Sequence, residues 1–133
     1  MAASVSLPLE SHAHGLSSQQ EDLLRLIGFL QLEHGSPEKA VTVFDALLAM
    51  RPDDMQLRFS LTLSLLRVGD GAGALQIIED TPHLQSAQAP QEPVPLFHLL
   101  RSQALVQLGR LPEAARSMRI FIRQRRVEQA TKE

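Results

Sequence analysis

Gly35, Ala40 and Phe44 recur as Gly69, Ala74 and Ile78, and again as Gly109, Ala114 and Met118. Each set runs glycine, four residues, alanine, then an apolar residue four positions on. The first two sets lie 34 residues apart and the last two 40 apart. Such a chain is assembled from supersecondary units, each of which buries its apolar face only by stacking on a neighbour. That constraint comes before any other reading of the sequence.

A period of 34 residues is that of the tetratricopeptide repeat, a helix–turn–helix unit. Residues 21–54 resemble it closely, with Leu24, Ile27, Gly28, Gly35, Ala40, Phe44 and Pro52 in place. Gly28 and Ala40 are small where two helices cross, and Gly35 turns the chain between them. Pro52 ends the second helix because it lacks an N–H and restricts its predecessor. The expectation is an all-α fold, a short α-solenoid of three repeats at about 21–54, 55–88 and 95–128, with six helices. Capping signals agree. Ser18 with Glu21 has capping-box spacing, Ser36 precedes Pro37, Asp53 and Asp70 are placed to cap helices three and four, and Pro112 suits the first residue of helix six. The extra length of the third spacing falls in residues 81–95, which hold four of the eight prolines and read as an inserted loop. Residues 1–16 carry no periodicity and are expected to be a mobile tail ahead of a single domain, 17–133.

One stretch supports a rival fold. Residues 57–66, "LRFSLTLSLL", alternate apolar and polar as a strand does. Gly69, Gly71 and Ala74 then fit a dinucleotide-binding fingerprint, with Glu92 about 20 residues on. Yet the alternating run is rich in leucine rather than β-branched residues, and no second βαβ unit follows. Gly69 and Ala74 already belong to the 34-residue frame. The helical reading is preferred, with one apolar face on neighbouring helices and the other on a groove.

Charge is divided along the chain: residues 1–94 hold 12 acidic and 5 basic residues, and residues 95–133 hold 3 acidic and 8 basic. Without cysteine there are no disulfides or thiolate metal sites, which fits a reducing cytosol. The start of the chain has neither the basic residues nor the apolar run of a signal peptide, and no stretch approaches a membrane span. Ser36 and Lys39 fit S-x-x-K, but its companion motifs are missing. His12 and His14 lack carboxylate or thiolate support for a metal, and His34, His83 and His98 stand apart from any acid in register. No nucleophile and base come together, so a non-enzymatic binding module is expected, with no cofactor and no metal. Nucleic acid would require aromatic platforms or a larger positive charge.

In such repeats the first helix of each unit lines the concave face through its positions 2, 5, 9 and 12. Here these are Asp22, Arg25, Phe29 and Leu32, then Gln56, Phe59, Leu63 and Leu66, then Leu96, Leu99, Gln103 and Val106. The eight apolar members are candidates for a partner-binding groove that takes an apolar helix or extended peptide. Repeats that grip the terminal carboxylate of heat-shock chaperones use paired asparagines there, and this chain has no asparagine. Arg116, Arg119 and Arg123 share one face of the last helix and form a possible electrostatic contact, although bases near a helix C-terminus also complement its dipole.

Residues 26–52, "LIGFLQLEHGSPEKAVTVFDALLAMRP", resemble the first repeat of the YscY (SctY) family, three-repeat chaperones of bacterial type III secretion systems. Gly28, Leu30, Gln31, Leu32, Gly35, Glu38, Ala40, Asp45, Ala46, Leu47, Leu48 and Pro52 carry the likeness. The proline-rich insertion and the long amino-terminal segment depart from it. The resemblance implies a cytosolic chaperone that binds a small secreted export component of the YscX (SctX) type, the pair then docking on the export gate. The longer translocator chaperones of the same systems are the nearest rival.

Overall fold

The computed structural model describes residues 16–81 and 94–132. The expected tail, the proline-rich insertion, His12, His14 and His83 fall outside them, apart from Leu16, Thr81, Val94 and Pro95 at their edges. The described residues form six helices: α1 (Ser18–His34), α2 (Pro37–Met50), α3 (Met55–Arg67), α4 (Gly71–Glu79), α5 (Val94–Gln107) and α6 (Leu111–Lys132). Each packs on the next, and α3 also packs on α5, so the first helices of successive units form an inner row. No strand occurs among the described residues, and 57–66 lie within α3. The helical reading of that stretch therefore holds.

The caps are as the sequence signals, shifted by one residue at two places. Ser17, not Ser18, caps α1, and its capping box closes with Gln20 rather than Glu21. Asp54, not Asp53, caps α3 by accepting from Leu57 N at 3.0 Å. In both pairs the neighbouring residues have the same capping chemistry, so the sequence alone does not separate them. Ser36 and Asp70 cap α2 and α4 as expected. Pro112 is the second residue of α6 rather than the first, still within the first turn where its missing N–H is tolerated.

The repeat frame is visible in burial. Ala40, Ala74 and Ala114 are all buried. A Cβ on Gly28 would meet Phe44 Cζ at 2.7 Å, so the helix crossing requires glycine there. The corresponding positions hold Thr62 and Ser102, both buried, whose hydroxyls donate to their own helices at Arg58 O and Leu99 O, each at 2.7 Å. Three small residues thus mark the three crossings. The turn glycines are not equivalent: Gly69 and Gly109 take φ values of 83° and 76°, whereas Gly35 has φ −124°. Gln31 braces the Gly35 turn by accepting from Ser36 N through its side chain and from Gly35 N through its carbonyl.

Two apolar clusters make the core. One gathers Leu32, Ala40, Phe44, Leu47, Leu48, Leu57 and Leu61, and the other Leu66, Ala74, Leu75, Ile78, Phe97, Leu100, Ala104, Leu105 and Ala114. Leu63 and Leu65 of α3 pack against both and join them. Stacking also explains an exposed stripe. Leu23 is 56% exposed, whereas its equivalents Leu57 and Phe97 are 1% and 0% exposed. Leu26, Ile27 and Leu30 are exposed on the same face, because in α1 no preceding unit among the described residues covers it.

Ion pairs close unit one at the start of the inner row, where it meets α3. Arg25 Nη2 donates to Asp54 Oδ2 at 2.6 Å, and Arg51 Nε donates to Glu21 Oε1 at 3.0 Å. Burial alone would raise the Asp54 carboxyl, but hydrogen bonds from Arg25 and from the backbone N–H groups of Leu57 and Gln56 outweigh it and hold it low. A carboxyl depressed in the folded state stabilises above its unfolded value, about 3.9, and the contribution disappears as pH falls through the folded value. Asp54→Ala is expected to cost about 1–2 kcal/mol in urea unfolding at pH 7, from the lost cap and the lost Arg25 partner. Asp54→Asn keeps the cap and costs less. The gap between wild type and Asp54→Ala should narrow below about pH 4.

Candidate functional site

Between α3 and α5 lies a groove of about 560 Å³. Leu63, Leu66 and Arg67 line it from α3, and Ser102, Gln103, Val106 and Gln107 from α5, with Met118 of α6 also in its wall. Two of its polar side chains bridge neighbouring units. Arg67 Nη1 donates to Leu32 O at 3.0 Å, and Gln107 Nε2 donates to Leu66 O at 3.0 Å. The two bonds are equivalent in the repeat frame: each time, the residue after position 12 reaches back to the position-12 carbonyl of the preceding unit. They satisfy carbonyls near helix C-termini, where intrahelical partners run out, and they fix the spacing of the inner row.

Of the eight apolar candidates, Leu63, Leu66 and Val106 meet in this groove, with Gln103 beside them. The other five lie elsewhere. Leu32 is 4% exposed and belongs to the core, and Leu66, although it lines the groove, is also buried. Phe29 is half-buried and meets Phe44 edge-on, with ring centroids 5.4 Å apart. Phe59 meets Phe97 in the same way at 6.2 Å. Leu99 is half-buried and Leu96 exposed, both outside the groove wall. The accessible apolar surface of the groove therefore centres on Leu63 and Val106, and Val106 is 55% exposed. Asp22 is exposed, while Arg25 and Gln56 are joined by a 3.4 Å hydrogen bond next to the Asp54 ion pair.

Arg67, Ser102, Gln107 and Met118 were not among the sequence candidates. Arg67 and Gln107 follow position 12 of their units directly, and this adjacency was the available signal. Arg119 and Arg123 are exposed on α6. Arg116 instead lines a separate cleft between α4 and α6. Among the described residues no three histidine, cysteine or acidic side chains cluster to hold a metal, and no helix is long and apolar enough to cross a membrane.

The tetratricopeptide repeat family profile matches residues 27–93, half of the chain. The chain belongs to the tetratricopeptide repeat family. No curated protein matches it. Helical repeats of this kind stack into extended concave surfaces that serve protein binding.

Proposed function

We propose that this chain is a protein-binding scaffold whose groove between α3 and α5 holds an apolar segment of a polypeptide partner. The observation that supports this best is the groove itself: an apolar wall at Leu63 and Val106, set in a frame that hydrogen bonds from Arg67 and Gln107 tie together. A preorganised site loses less entropy on binding than one that must first order. The family match supports the scaffold class.

Within that class, the likeness of residues 26–52 to the YscY (SctY) family favours a bacterial cytoplasmic chaperone of type III secretion. Its partner is then a small secreted component of the SctX type, which it stabilises and delivers to the export gate. The translocator chaperones are the alternative in the same systems. The test is to express the tagged chain in its host and identify what co-purifies. A small secreted protein recovered in stoichiometric amount supports the chaperone reading. A stoichiometric partner unrelated to secretion overturns it and leaves the scaffold reading standing.

A further inference from the structure

At one place the chain departs from its own repeat. Arg101 stands where units one and two carry Ile27 and Leu61, and Ser117 stands where they carry Val43 and Ile77. Leu61 is buried in the first core cluster, and Val43 and Ile77 pack against it. In unit three the two polar replacements bond to each other, Arg101 Nη1 donating to Ser117 Oγ at 2.6 Å. Ser117 is buried and the Arg101 side chain is only 27% exposed. An apolar pair at such positions is commonly as stable as a buried polar one or more so. Packing alone therefore does not account for the replacement.

Around this pair opens the cleft of about 280 Å³ between α4 and α6. Ile78 and Ile120 give it aliphatic walls, and Arg116, Glu79 and His98 complete it. His98 and Arg101 lie on the side of α5 away from Gln103 and Val106, so the cleft is distinct from the groove. Arg101 Nη2 lies 3.8 Å from the Glu79 carboxylate, beyond a hydrogen bond. Burial, and then the charge of Arg101, push the His98 imidazole below its ordinary value, which favours its uncharged form. His98 Nδ1 is buried without a hydrogen-bond partner. Glu113, which the charges of Arg101 and Arg116 reach, and Arg110, which the Glu79 carboxylate reaches, also belong to this surround, so three guanidinium groups stand against two carboxylates and leave a single positive charge. A monoanion neutralises it, whereas a dianionic phosphate would leave an excess negative charge in a partly buried site.

From this geometry we infer that the cleft is a carboxylate-binding site, taking an aspartate, glutamate or terminal carboxylate of the partner beside an aliphatic side chain. Guanidinium forks match carboxylates in geometry as well as charge. The inference rests on the partner being a polypeptide, but its test uses a free small molecule and so fails or succeeds independently of the groove. The probe is N-acetyl-leucine, titrated into the full chain by amide NMR, with N-acetyl-leucinamide and inorganic phosphate as parallel arms. Saturable shifts at Ile78, Arg116, Ser117 and Ile120 are expected with the acid and not with the amide. Arg116→Gln should weaken binding by about fivefold or more, and Glu79→Gln should tighten it, as expected for charge-assisted contacts. The double variant Arg101→Leu/Ser117→Ile restores the residue types of unit two and should abolish binding while keeping the native melting temperature or raising it. Equal shifts with the amide, tighter binding of phosphate, or acid binding unchanged in Arg116→Gln would each overturn the assignment.

Discussion

Phe44→Ala is expected to destabilise the fold by about 3–5 kcal/mol, more than truncation of a half-buried neighbour such as Phe29. Phe44 is fully buried at the centre of the first cluster, its ring edge-on to Phe29 and pressed against Gly28. Truncation removes the apolar transfer term and leaves a cavity that the rigid crossing of α1 and α2 cannot close, because Gly28 has no side chain to move in. Domains of this size have a total stability of about 5–15 kcal/mol, so the loss takes a large share of it. Urea unfolding followed by far-UV circular dichroism measures it directly, with Phe29→Ala as the milder comparison. A loss below about 1 kcal/mol for Phe44→Ala would contradict a core centred on this ring.

The second large effect concerns binding rather than folding. Val106→Glu should weaken the complex with the partner by at least about tenfold, equivalent to about 1.4 kcal/mol or more. The substitution places a charge that must be desolvated under any apolar segment seated in the groove. Because Val106 is 55% exposed, the free protein should keep its stability within about 0.5 kcal/mol. Leu63 and Phe59 are poorer probes, since Leu63 joins the two core clusters and Phe59 packs on Phe97, so their loss would disturb the fold itself. Arg123→Ala, on exposed α6, should change affinity less than about threefold. Calorimetric titration of the purified partner against wild type and the two variants gives the comparison.

The fold was legible in the sequence because its signals are local and periodic. Gly28, Ala40, Phe44, Ser36 and Asp70 occupy the roles their spacing implies, and the frame alone outweighs the strand-like alternation of residues 57–66. That alternation misleads for a physical reason. Ser60, Thr62 and Ser64 read as solvent-facing, yet all three are buried. Thr62 and Ser64 satisfy their buried hydroxyls by donating to carbonyls four residues back, whereas the buried Ser60 hydroxyl has no partner. The groove was only partly legible. Concave-face periodicity picks out Leu32 and Leu66 on the first helices of their units, but it does not show how deeply those helices pack, because burial depends on contacts between units. The small position that runs Gly28, Thr62, Ser102 is hard to see in sequence because its members share size and not chemistry. The bond between Arg101 and Ser117 joins two helices and has no trace in local spacing.

Site-specific photo-crosslinking tests the claim that the groove holds the partner most directly. A photoreactive residue is placed singly at Gln103, Val106, Leu26 and Ile122, all exposed positions, on otherwise intact protein. If the partner lies between α3 and α5, irradiation of the complex traps it at 103 and 106 and not at 122. Crosslinks confined to Leu26 on the exposed α1 stripe or to Ile122 on α6, with none at 103 or 106, would contradict a partner seated in the groove.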